Sequence, residues 1–205
     1  MTYDTLASKE SVDKTSASLA EHGFMPEYVE TKEGALAKIK ELIPVGASVI
    51  NGASQTLDEI GYVDYLKAGQ HGWNNLHEAI LAEKDLAKQS ILRKQAVLSD
   101  FYLGSVHAVS ETGELVIGSA SGSQMPGIVF TSPNIIFVVG TQKIVPSLDD
   151  ARVRLTDYVV QLEDARAMQA YSAHTSLNKE LILHGESTKM GRKVHIIFVN
   201  EKLGY

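Results

Sequence analysis

Two short stretches carry residue types that suit chemistry. In NGASQTLDEIG, Asn51 to Gly61, small residues stand where the apolar run ASVIN (Ala47 to Asn51) stops and a helix pattern begins. The free N–H groups at such a helix start suit an anion. In SVHAVSETGELVIGSASG, Ser105 to Gly122, a glutamate, Glu111, stands on a tight turn between two apolar runs. Together they read as a site built at strand ends.

Gly52, Ala53, Ser54 and Thr56 allow a ligand to approach the backbone closely, and Ser54 can cap the helix that carries Leu57 and Ile60. An ordinary N-cap after a strand is an equally good reading. The spacing fits neither G-x-x-x-x-G-K-[ST] nor G-x-G-x-x-G, so no nucleoside triphosphate or dinucleotide fingerprint is present. Glu59 falls about one turn into the same helix, where it favours the positive helix end; acid–base work is its lesser role. In SETGEL, Ser110, Thr112 and Gly113 supply a turn and local hydrogen bonds around Glu111. A carboxylate held there can serve as a base or a covalent nucleophile. A solvent-exposed hairpin carboxylate is the plainer reading and the favoured one. The loop GSASGSQ around Gly122 either closes over a ligand or simply connects strands. The seven histidines show no H-E-x-x-H and no close metal spacing, so no metal site is expected, and Trp73 is expected to be partly buried.

Composition narrows the functional classes. A chain of 205 residues, 44% hydrophobic, can bury a sizeable core as one domain over residues 1–205. The net charge of -6 and the scattered Lys and Arg argue against nucleic acid as a partner. With no cysteine, disulfides, thiolate nucleophiles and Cys-ligated iron–sulfur clusters are excluded from this chain. MTYDTLASKE is not a signal peptide and no apolar run approaches the roughly 20 residues that span a bilayer, so the expectation is a soluble, cytoplasmic protein with no membrane association.

The elements that must position these residues alternate along the chain. Leu6 to Glu21 reads as a helix ended at Gly23, Phe24 to Glu30 as an extended segment, and a second helix opens at Thr31 and stops before Pro44. Gln55 to Ser99 reads as several short helices broken around Gly69 and Gly72, with Ile80, Leu81, Leu86, Ile91, Leu92 and Val97 as its buried positions. Phe101 to Ser110 and Glu114 to Gly118 read as two strands of a hairpin joined at Thr112 and Gly113. NIIFVVG, Asn134 to Gly140, is apolar throughout, as a strand covered on both faces must be. Ser147 can cap a long helix with Leu148, Ala151, Leu155, Tyr158, Val159, Leu162 and Ala165 on one stripe. The polar stretch from Ser172 to Arg192 is where order is least expected, and Val194 to Val199 is a last strand. Strand and helix in alternation, with buried strands, argue for a three-layer α/β/α domain on a mainly parallel sheet.

The order NGASQTLDEIG, SDFYLGSVHAVSETGELV, GSASGSQ, SPNIIFVVGTQKIVPSLDDARVRL and KVHIIFVNEKLGY resembles the LUD-domain family, the LutC-like lactate-utilisation proteins of bacteria. The resemblance implies an α/β fold like that of ribose-5-phosphate isomerase, glucosamine-6-phosphate deaminase and the CoA transferases, with a cleft at the carboxyl ends of the strands. Carried over, the small-residue loop falls on Gly52, Ala53 and Ser54, the helix glutamate on Glu59, the turn on Glu111, Thr112 and Gly113, and the segment after the central strand on Lys143, Ile144 and Val145. Relatives of this short type often have an asparagine in place of His107, a GNR-like triplet in place of SGSQ, and cysteines where this chain reads SAHTSLNKELILHGES. A metal or redox role of those cysteines does not transfer.

Three functional expectations follow. The first is an accessory or subunit role in oxidising lactate to pyruvate, with iron–sulfur partner proteins and no cofactor of its own. The second is an enzyme on a small anionic substrate, a sugar phosphate or an acyl-CoA, with the anion at Gly52 to Ser54 and with Glu111 or Glu59 as base or nucleophile; Thr56, Thr112, Gly113, Gly122 and Lys143 are the further candidate ligand-binding residues. The third is a ligand-binding homo-oligomer with no chemistry.

Overall fold

A computed structural model describes residues 3–205. In chain order they form α1 (Lys9–Glu21), β1 (Met25–Val29), α2 (Lys32–Leu42), β2 (Ser48–Asn51), α3 (Gln55–Glu59), α4 (Tyr62–Lys67), β3 (Asn74–Asn75), α5 (Leu76–Ala82), α6 (Leu86–Gln95), β4 (Phe101–Gly104), β5 (Ala108–Ser110), β6 (Leu115–Ser119), β7 (Asn134–Gly140), β8 (Ile144–Val145), α7 (Leu148–Arg154), α8 (Val160–Tyr171), β9 (Lys179–Leu183) and β10 (Lys193–Val199). A wider, π-helical turn at Leu155–Val159 joins α7 to α8. Local chemistry starts the helices where it was expected to: the side chains of Thr31, Ser54 and Ser147 accept from the backbone N–H groups of Gly34, Leu57 and Asp150. Ser8 does the same for α1, which therefore begins at Lys9 rather than Leu6.

The main sheet runs β1-β10-β7-β4-β2-β3, every pair parallel. Successive side chains of a strand point to opposite faces, and β7 is apolar on both. Its Ile136 and Val138 join Ile39, Leu57, Tyr62 and Trp73 on the face covered by α2, α3 and α4. Its Ile135, Phe137 and Val139 join Leu19 of α1 and Leu115 and Ile117 of β6 on the other face. Trp73 is 8% exposed and its indole N–H donates to the Ile43 carbonyl at 3.1 Å, so it belongs to the core as expected. The result is the three-layer α/β/α arrangement, with a second sheet, β8-β5-β6-β9, inserted into one outer layer. The long helix through α7 and α8 covers the far face of that second sheet through Ala151, Leu155 and Val159.

Three expectations are corrected. Phe101 to Ser110 is two strands in two different sheets: β4 pairs with β2 and β7, β5 pairs with β6 and β8, and residues 105–107 cross between them. The apolar run conceals the break because both flanking segments are buried, each in its own sheet. The polar stretch from Ser172 to Arg192 contains β9, which pairs antiparallel with β6 from Lys179 to Leu183. Leu81, Leu86 and Ile91 are exposed rather than buried, and α6 buries no residue.

Arg154 fastens the inserted sheet to the long helix. It is fully buried, its guanidinium donates to the carbonyls of His107 and Tyr3, and the ring of Tyr158 lies 5.2 Å from it. Burial draws its proton affinity down to about 10, still far above neutrality. Arg154→Ala removes two donors and opens a void, so it is expected to lower stability by about 3 kcal/mol. That is a fall in Tm of roughly 6–12 °C, which a thermal melt would register; a fall of a degree or less would contradict this account.

Candidate functional site

Parallel strands all deliver their carboxyl ends to one edge of a sheet, and loops leaving that edge are where ligands bind in α/β folds. Here the segments that follow β2, β4, β7 and β10 converge on one cavity of about 920 Å³. Asn51 to Thr56 come from β2, Gly104 to His107 from β4, Lys143 from β7, and Gly204 and Tyr205 from beyond β10. Gly118 and Ser119 of β6 and Leu155, Val159 and Glu163 of the long helix complete the wall.

Lys143 is the electrostatic centre. It is 1% exposed, and its ammonium donates to the hydroxyls of Thr56 at 3.0 Å and Ser105 at 3.1 Å. Each hydroxyl spends its own proton elsewhere: Ser105 donates to the Val138 carbonyl at 2.6 Å and Thr56 to the Leu203 carbonyl at 3.3 Å. Both must therefore accept from the lysine. Among the described residues Lys143 makes no ion pair with a carboxylate. Burial, with the positive charge of Arg154 added, brings Lys143 down to about 7, while Glu59 pulls the other way.

Glu59 acts through the chain that follows β10, since the Gly204 N–H donates to its carboxylate at 2.7 Å. Gly204 has φ +56, and a Cβ there would stand 2.5 Å from the Thr56 hydroxyl and 3.3 Å from the Lys143 nitrogen. Only glycine lets this segment lie over the lysine. Gln142 secures the segment from beneath, donating to the Leu203 carbonyl at 2.9 Å.

His107 sits on the crossing between the sheets with its ring fixed. Its Nδ1 accepts from the Gly118 N–H at 2.9 Å, so the proton of the neutral ring is on Nε2. Burial first, then the charges of Lys143 and Arg154, hold its pKa down near 3, and the imidazole is neutral at pH 7. Nearby, Arg166 grips Glu163 through two bonds of 2.8 and 2.6 Å, and the Tyr205 hydroxyl donates to the same carboxylate. The Arg166 bond keeps Glu163 ionised below the usual carboxylate range. In the small-residue loop, a Cβ on Gly52 would come within 2.7 Å of the Tyr102 hydroxyl, so the glycine is required by close approach. Asn51 donates to the Gly52 carbonyl at 3.1 Å and leaves its own side-chain oxygen buried without a partner.

Of the residues singled out from sequence, the structure brings together Gly52, Ala53, Ser54, Thr56 and Lys143 on the cavity wall. Glu59, Glu111, Thr112, Gly113 and Gly122 are not among its lining residues. Glu59 reaches the site only through Gly204. Glu111 belongs to a contact between the hairpin and α1: its carboxylate accepts from the Ser11 hydroxyl at 2.6 Å and pairs with Lys14 at 2.8 Å, and these bonds lower its pKa. Neither the base nor the fully exposed carboxylate describes it. Thr112 and Gly113 form the tight turn, Gly113 with φ +98. Gly122 lies against Lys179, although its neighbours Ser121 and Ser123 do face the cavity. Sequence reasoning missed Ser105, His107, Tyr102 and Glu163. The signal for the first two was the glycine at 104 followed by a serine inside an apolar run, which marks where the chain leaves the main sheet.

Two outcomes are expected. Below pH 7 folded and unfolded chains both hold the Lys143 proton, and the folded chain bears the cost of burying it. Between about 7 and 10 the folded chain releases that proton while the unfolded chain keeps it, so this group adds stability as pH rises. Lys143→Met is therefore expected to be the more stable form at pH 6 and to lose that advantage by pH 10, as measured by urea unfolding at both. Glu111→Gln is expected to cost about 1 kcal/mol by the same measurement and to leave ligand binding in the cavity unchanged.

Among solved structures, a DUF162 family protein from Deinococcus radiodurans is similar to this chain, with a TM-score of 0.55 at 14% identity over 96% of this chain and 100% of that one. At that identity the likeness speaks for the fold alone. A search of curated proteins finds no match. A scan against protein-family models matches the LUD domain over residues 12–199. With that match running nearly end to end, the chain belongs to the LUD-domain family.

Proposed function

We propose that this chain is a ligand-binding subunit in lactate utilisation, taking an organic anion into the cavity with Lys143 as its counter-charge. The observation that carries the reading is the lysine itself. Among the described residues no carboxylate pairs with this buried ammonium, whose two acceptors are neutral hydroxyls and which Glu59 relieves only without an ion pair, and an anionic ligand supplies the counter-ion. The unpartnered oxygen of Asn51 accepts a hydroxyl or amide proton from the same ligand. Oxidation of lactate to pyruvate removes two electrons, and this chain has no cysteine with which to hold an iron–sulfur cluster. Partner proteins holding such clusters take the electrons.

The cavity's size favours a second reading as well. About 920 Å³ exceeds what a three-carbon acid fills and lies within the range of drug-sized ligands. A sugar phosphate or an acyl-CoA, with its charged or acyl group at Lys143, uses that space. On this reading the reacting groups are Lys143 and His107, because Glu111 is remote and Glu59 is engaged by the Gly204 N–H.

Calorimetric titration of the purified protein with lactate, pyruvate, sugar phosphates and CoA esters separates the two. Saturable binding of the C3 acids, weakened about tenfold or more by Lys143→Met, supports the first; binding confined to the larger compounds supports the second. No binding by any of them, or binding that Lys143→Met leaves unaltered, refutes the site.

A further inference from the structure

Lys143 carries more than a charge. Its nitrogen has three valences beyond the side-chain carbon, and two are fixed: the hydroxyls of Thr56 and Ser105 each take one N–H. Those hydroxyls have no proton left to offer in return, because the carbonyls of Leu203 and Val138 already receive them. The third valence holds either a proton or a lone pair, on a lysine that lines the cavity. A primary amine held so, away from bulk water and with no ion-paired carboxylate among the described residues to keep it protonated, is a nucleophile for carbonyl carbon.

We propose that Lys143 is a covalent site that condenses with the carbonyl group of a 2-oxo acid in the cavity to form an iminium. The proposal rests on the anion site described above and names its ligand class. The nitrogen lone pair forms a bond to the carbonyl carbon while the carbonyl π pair moves to oxygen, which takes up a proton from the nitrogen. The resulting hydroxyl leaves as water with a second proton, the one the ammonium gave to solvent in freeing its lone pair, and the nitrogen lone pair closes the C=N bond. The sum is R–NH3⁺ + O=C → R–NH⁺=C + H2O, balanced in atoms and charge with no oxidant, reductant or further reactant.

The 2-oxo acid is the class that the surroundings ask for. The iminium keeps the positive charge in a place that already tolerates it poorly, with Arg154 adding repulsion and Glu59 giving partial relief across Gly204. A carboxylate on the adjoining carbon travels with the carbonyl as counter-ion, which a plain ketone cannot offer. The iminium N–H still satisfies one of the two hydroxyls, and the other is released toward the departing water. His107, neutral with its proton on Nε2, is one donor on the cavity wall, which also carries the Glu163, Arg166 and Tyr205 network.

The test is reductive trapping. Wild-type protein is incubated at pH 7 with pyruvate or glyoxylate and sodium cyanoborohydride, digested and mapped by mass spectrometry. The expected product is a secondary amine at Lys143, adding the mass of the acid less one oxygen atom. An ordinary lysine near 10.4 has only about one part in 2,500 as free amine at pH 7, so the Lys143 adduct is expected at ten times or more the level at any other lysine. Trapping at Lys143 is expected to reach half its maximum between about pH 6 and 8 and to be suppressed by lactate, which fits the anion site but has no carbonyl. Lys143→Arg is expected to abolish it; because that variant can misfold, the peptide map on the wild-type protein is decisive. Calorimetric binding of pyruvate with no adduct at Lys143, or an adduct there no greater than at surface lysines, overturns the covalent site and leaves the anion site standing. Absence of both binding and adduct overturns both.

Discussion

An ammonium group removed from water and given no carboxylate is a standing cost, and much of the cavity's construction serves to bear it. Lys143 is met by two hydroxyls placed by different elements, Thr56 in α3 and Ser105 after β4. Each is oriented by a backbone carbonyl from a further place, Leu203 beyond β10 and Val138 within β7. Four segments are thus tied to one nitrogen. Hydroxyl acceptors lessen the penalty of burial without supplying a counter-charge, so the lysine keeps a proton affinity near neutrality and remains responsive to whatever enters.

That arrangement depends on the chain leaving the main sheet after Gly104. Were Phe101 to Ser110 one strand, Ser105 would continue the ladder, and His107 would lie along it. Instead the chain crosses to the second sheet, and the crossing is held by Arg154 on the His107 carbonyl and by the Gly118 N–H on the ring. The inserted sheet therefore turns a flat strand end into one wall of a cavity, and the long helix closes the other side through Leu155, Val159 and Glu163. The wider turn at Leu155–Val159 falls at this wall, where two of its residues face the cavity.

How much of this was legible in the sequence depends on the range of the interactions concerned. Caps at Thr31, Ser54 and Ser147 and the turn at Gly113 are decided within a few residues, and the sequence shows them. The apolar composition of Asn134 to Gly140 announces a doubly covered strand in the same way. Glu111 was misleading because its partners, Ser11 and Lys14, stand 100 and 97 positions earlier, and nothing local distinguishes a carboxylate bound to a helix from one facing a ligand. Lys143 stands out in the sequence only through family resemblance; its burial and its two hydroxyl acceptors arise from tertiary packing of segments 38 to 87 positions apart. The break at Ser105 was masked because both halves of the run are buried, and periodicity cannot tell one buried strand from two.

The same geometry sets what the cavity can do with a ligand. An amine, a neutral imidazole and a fixed acid–guanidinium pair can bind, orient and exchange protons with an organic anion. All three act on the position and charge of the ligand's carbon skeleton. The glycine that lies over Lys143 is instructive on this point. Gly204 approaches the lysine nitrogen so closely that a single added carbon would stand 3.3 Å from it, and its N–H is committed to Glu59. The segment beyond β10 is therefore part of the site's wall, and a ligand that changes the charge on Lys143 acts directly on the contacts that keep that wall in place.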